Sequence, residues 1–130
     1  MSRAEPVDYL SVEDLLDVAA GVLDEVLIRD PGALAAAAGR PRMTVFGTEA
    51  YPAFAAKAAT LMHSLARNHP LVDGNERLAW AATRVFCLLN GRDLRLGVDE
   101  AERLVVAVAA GSVDVPDLTE VLGRHVRRKA

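Results

Sequence analysis

Nine consecutive residues, His69-Pro70-Leu71-Val72-Asp73-Gly74-Asn75-Glu76-Arg77, gather side chains that can handle a phosphate group. A histidine titrates near neutrality and can take a proton from an attacking hydroxyl. Asp73 offers the hard carboxylate oxygen that Mg²⁺ favours when it also holds nucleotide phosphates. Gly74 lets the backbone approach a ligand with no side chain in the way. Asn75 and Arg77 add donors, and a guanidinium can meet phosphate oxygens through a forked, charge-assisted contact. Base, metal ligand, anion cradle and charge clamp are the parts of phosphoryl or nucleotidyl transfer. His69 and Arg77 are thus the catalytic candidates, Asp73 the metal candidate, and Gly74, Asn75, Glu76 and Arg77 the phosphate-binding set.

The segment needs two helices to position it, and the flanking sequence supplies them. A periodic stretch through Ala58, Leu61, Met62 and Leu65 predicts a helix from Thr48 or Tyr51 to about Asn68. Leu78, Ala82, Val85 and Leu89 share a stripe from about Gly74 to Asn90, with Gly91 as the stop. The segment therefore sits where the second of these helices offers free N–H groups and the positive end of its dipole. Upstream, Ser11 and Asp14 make a capping box that opens an apolar-periodic run reaching Leu27. Asp30-Pro31 starts a short alanine-rich helix closed by Gly39. Arg40 to Gly47 lacks a helical period and is expected to form an extended loop or short hairpin. Helices from about Val98 to Ala110 and after Asp114 complete an all-α, compact single-domain bundle of about six helices spanning residues 1–130.

Composition narrows the classes. The chain has 130 residues, is 52% hydrophobic and only 5% aromatic, so its core should be Leu, Val and Ala between close helices. A net charge of -3 argues against a general nucleic-acid binder. No run of about 18 apolar residues is present for a membrane span, and no signal region follows Met1 to Pro6. A cytoplasmic location is expected. The lone Cys87 lies in an apolar run and reads as a buried small hydrophobe. The basic cluster Arg124, Arg127, Arg128 and Lys129 reads as a solvated helix end that complements the dipole.

The segment resembles the Fic motif, H-x-F-x-(D/E)-G-N-(G/K)-R, at His69, Asp73, Gly74, Asn75 and Arg77. The chain's length, the motif near residue 70 and the helix ending Leu88-Leu89-Asn90-Gly91 look most like the death-on-curing (Doc) branch. The resemblance covers roughly Tyr9 to Val126 and implies a Fic/Doc-like fold and chemistry. It implies ATP and Mg²⁺ as cofactors, with transfer of AMP or, in the Doc branch, the γ-phosphoryl group to a protein hydroxyl. A translation protein such as elongation factor Tu is the implied target. His69 would activate the hydroxyl, Asp73 would hold Mg²⁺, and the loop amides with Asn75 and Arg77 would hold phosphates. Met43, Thr44, Val45 and Phe46 match the flap that aligns the target chain by β-type pairing. A Phd-like antitoxin seated in a helix-binding groove is the implied partner.

The chain departs from the motif at three places. Leu71 replaces the phenylalanine anchor, an apolar exchange that calls for minor repacking. Trp80 stands where many Fic enzymes place a second arginine, which Doc toxins also lack. Glu76 stands where relatives carry glycine or lysine. A carboxylate about 4 Å from a phosphate charge would cost about 4 kcal/mol at an effective dielectric near 20.

Against the catalytic reading stands a bland one, in which Asp73 is an N-cap and Glu76 completes a capping box, filling the anion site itself. The chain would then be a non-catalytic interaction module. A Fic relative using a different phosphorylated donor is a further alternative. His63 and His125 lack metal-ligand spacing, Ser64 lacks a nucleophile elbow, and Arg84 reads as part of a solvated face or, one or two turns beyond Arg77, as reaching the pocket.

Overall fold

A computed structural model of the chain describes residues 6–129. The expectation of no leader rests on the first residues, of which 1–5 lie outside that range. Six helices occur among the described residues: α1 (Val12–Val22), α2 (Pro31–Gly39), α3 (Phe54–Asn68), α4 (Asn75–Leu89), α5 (Val98–Ala109) and α6 (Val115–His125). Two short antiparallel pairs accompany them. One joins β1 (Thr44–Val45) to β2 (Thr48–Glu49), and the other joins β3 (Arg92–Leu94) to β4 (Val126–Arg128). The fold is all-α.

Local chemistry sets most boundaries. Ser11 and Asp14 form the expected capping box, with Ser11 Oγ accepting the Asp14 amide at 3.1 Å. Asp30 caps α2 by accepting from the Ala33 amide at 3.0 Å, ahead of the first-turn proline. Asp114 does the same for α6. Gly91 and Gly111 follow α4 and α5 with φ of 73° and 84°, the left-handed turn that ends a helix.

Helix α3 is central, packing against α2, α4, α5 and α6. It buries residues all round, including Ala58, Ala59, Leu61, Met62, Leu65 and Ala66, as expected of a helix enclosed by neighbours. Helix α4 packs Leu78, Ala79, Ala82, Phe86 and Cys87 inward. Phe86 stacks on Phe54 with ring centroids 5.0 Å apart. Helices α3 and α4 pack extensively on each other, and both contribute buried alanines to the core.

Several expectations are corrected. Helix α1 ends at Val22 and does not continue to Leu27, because Leu27 to Asp30 leave the helix to pair with residues 70–72. Helix α3 begins at Phe54, since Thr48 and Glu49 belong to the hairpin. Arg40–Arg42 form one 3₁₀ turn before that hairpin. The basic C-terminal cluster does not simply prolong a helix, because Val126–Arg128 pair with β3. No helix among the described residues is long and apolar enough to cross a membrane.

Candidate functional site

The junction between α3 and α4 is tightly folded. Helix α3 stops at His69, whose φ of 48° and ψ of 61° turn the chain left-handed. Leu71 is fully buried, an anchor that contributes about 1.5–3 kcal/mol and fills the place of the motif's phenylalanine. Asn75 is buried and clamps the same residue. Its Oδ1 accepts the Leu71 amide at 2.8 Å, and its Nδ2 donates to the Leu71 carbonyl at 2.9 Å. From the other side, Arg29 and Asp30 amides donate to the Pro70 carbonyl, and the Val72 amide donates to the Leu27 carbonyl. The Arg29 guanidinium donates to the carbonyls of Asn68 and His69.

Gly74 precedes α4 with φ of 84°, and no side chain caps the helix. The first intrahelical bond comes from the Leu78 amide to the Gly74 carbonyl at 2.9 Å. The amides of Asn75, Glu76 and Arg77 precede it, so they face outward with the positive end of the dipole. Asp73 turns its Oδ1 to the Gly74 amide at 2.9 Å and is otherwise exposed. The capping box between Asp73 and Glu76 is not formed. Glu76 is exposed and makes no hydrogen bond or ion pair to another described residue.

These parts open onto one cleft of about 1220 Å³. His69, Asp73, Gly74, Asn75, Glu76 and Arg77 all line it, so the expected set is brought together. The far wall carries Trp80, Arg84, Asp93 and Arg95. Arg84 is therefore a cleft residue, the one of two sequence readings that extends the pocket one or two turns beyond Arg77, the other being a solvated face. It reaches Asp93 at 3.4 Å, and Arg95 lies 3.8 Å from the same carboxylate. These exposed pairs add little stability, but they neutralise Asp93 beside the opening. Arg77 donates to the Val22 carbonyl at 3.3 Å, which ties the rim of the cleft to the end of α1.

A family model described as the Fic/DOC family matches residues 9–87. A curated protein, "Toxin Doc" of Mycolicibacterium smegmatis (strain ATCC 700084 / mc(2)155), is 45% identical over 118 residues, covering 88% of this chain and 91% of that protein. The chain belongs to the Fic/DOC family.

Within this Fic/DOC member the remaining candidates sort by geometry. Asn75 spends its side chain on Leu71, so its contribution at the cleft comes through the backbone. Met43, Thr44, Val45 and Phe46 form an exposed two-residue-turn hairpin, with Phe46 and Gly47 both at positive φ, and none of the four lines the cleft. The hairpin is moored by Lys57, 2% exposed, which donates to Glu49 at 2.8 Å. Burial lowers the Lys57 pKa, but hydrogen bonds and charges from Glu49 and Tyr9 outweigh it and leave the pKa above the ordinary value. His63 sits in a cationic network: burial first, then Arg40 and Arg67, push its pKa down, which fits a neutral structural histidine. Burial pushes the Cys87 thiol up to about 12, so it is inert as a nucleophile. Sequence reasoning missed Arg29, Asp93 and Arg95. Arg29 has no local signal, because its side-chain partners lie 39 and 40 residues away.

Proposed function

We propose that this chain is a Doc-type toxin that transfers the γ-phosphoryl group of ATP to a hydroxyl of a translation protein such as elongation factor Tu. One observation carries the reading: the uncapped N-terminus of α4 opens onto the same cleft that His69 lines. The likeness to a protein named "Toxin Doc" supports the toxin role.

The donor set fits Mg²⁺–ATP. Asp73 is an exposed carboxylate at the mouth of an amide cradle, and Mg²⁺ is commonly held by one or two carboxylates with substrate phosphates completing its shell. The metal would neutralise phosphate charge and polarise the leaving group. The amides of residues 75–77 hold the phosphates, and Arg77 places its guanidinium at the rim. The His69 imidazole takes the proton from the target hydroxyl as that oxygen bonds to the γ-phosphorus. The bond from the γ-phosphorus to the β–γ bridging oxygen breaks, and ADP leaves. The hairpin at Met43 to Phe46 offers edge strands to align an extended target segment. A Phd-like antitoxin would neutralise the toxin by docking in a surface groove.

Transfer of AMP from the same donor is the second reading, supported by a family match that covers Fic as well as DOC proteins. Purified chain, elongation factor Tu and ATP labelled at the α or γ phosphate separate the two. Label from γ on the target, lost in His69→Ala, is the expected result. Label from α would replace phosphoryl with AMP transfer. No label from either, with activity appearing in Glu76→Lys, would make the wild type a blocked module.

A further inference from the structure

We infer that Arg29 is a positioning residue for His69, holding the imidazole in the orientation that the proposed transfer requires; the inference rests on that proposal. His69 occupies a left-handed backbone conformation that L side chains avoid. Something must hold it there, and the helix it ends supplies no glycine. The Arg29 fork does so. Its Nε donates to the His69 carbonyl at 2.6 Å and its Nη2 to the Asn68 carbonyl at 2.7 Å. Both contacts are short and charge-assisted, and they compensate the negative end of α3. Two successive carbonyls meet one planar fork only while they point the same way. Rotation of His69 about ψ swings its carbonyl off the fork, so the guanidinium couples directly to the backbone torsions that aim the imidazole.

The rest of the strap makes this separable from folding. Backbone bonds from residues 27–30 to Pro70 and Val72 persist whatever side chain stands at 29. Asp30 still caps α2, and Arg29 itself is exposed. Substitution there loosens one residue of the loop without opening the core. The phosphate cradle belongs to α4, which Asn75 holds independently of Arg29. Turnover should therefore suffer while nucleotide binding does not.

The test compares wild type, Arg29→Ala, Arg29→Lys and His69→Ala in two measurements. Backbone NMR shifts of residues 68–71 should lose the left-handed signature of His69 in Arg29→Ala. In the γ-labelled transfer assay, kcat should fall on the order of 10–100-fold, because small misplacements of a reacting group carry losses of that size. KM for ATP should stay within about threefold. Arg29→Lys, which keeps the charge but not the fork, should fall between. Unchanged shifts overturn the inference. So does an unchanged kcat, or a KM that rises in step with a general loss of stability. A wild type that transfers nothing overturns the proposed reaction, and the NMR comparison then decides whether Arg29 sets the His69 backbone.

Discussion

At the scale of single residues, the junction works because each side chain answers a specific backbone demand. A Cβ on Gly74 would lie 2.6 and 2.8 Å from the Leu23 methyls, in a conformation with φ of 84°. Gly74→Ala should therefore cost about 1–3 kcal/mol, read as a lower denaturant midpoint, and should weaken ATP binding by tilting the start of α4. Asn75→Ala removes both bonds to Leu71 and leaves a buried amide unpaired. A loss of about 1–3 kcal/mol is expected in the same unfolding measurement. His69, Asp73, Gly74 and Arg77 were legible in the sequence because their spacing is local. The direction of the Asn75 side chain was not. It turns inward to the residue four positions back, a choice made by burial of Leu71 that no spacing rule contains. Nor did the sequence decide between a capping box at Asp73 and a bare helix end; the left-handed Gly74 at the N-cap position did.

Elements bring these residues into register. The hairpin of β1 and β2 depends on one buried cation. Glu49→Ala leaves the Lys57 ammonium buried without a carboxylate, keeping the Pro41 carbonyl 3.4 Å away and the Tyr9 ring 5.5 Å away. Lys57→Met removes the charge and fills the space. Glu49 is half exposed but Lys57 is buried, and a buried charge stripped of its partner is more damaging than an apolar replacement, so Glu49→Ala should lower the thermal midpoint more than Lys57→Met does. The raised Lys57 pKa fixes the pH window. Its contribution is full below the unfolded value of 10.5 and is lost as pH rises through the higher folded value. Wild type should thus lose stability in alkali more steeply than Lys57→Met, as measured by thermal melts across that range. Caps and stops revealed α2, α5 and α6 from sequence because each is signalled within a turn. The β3–β4 pairing was hidden, since Arg92 meets Arg128 across the whole of α5 and α6.

At the scale of the molecule, α3 and α4 form a rigid frame and the segments around them carry the site. The two helices pack extensively on each other, and the cleft opens where α4 begins and β3 leads into α5. The frame also protects Cys87, which should stay unreactive toward thiol reagents near neutral pH until the protein is denatured, a labelling experiment read by mass. The all-α architecture was legible because apolar periodicity marks the helices that must pack together and capping residues mark the rest. The cleft's far wall was not, since Asp93 and Arg95 reach it only through tertiary packing. The measurement that bears most directly on the account is a titration of the ¹⁵N-labelled chain with Mg²⁺–ATP. The amides of residues 74–77 should shift in a saturable manner, with those of α6 unmoved. Saturating nucleotide that leaves these four amides in place would contradict a phosphate site at the head of α4.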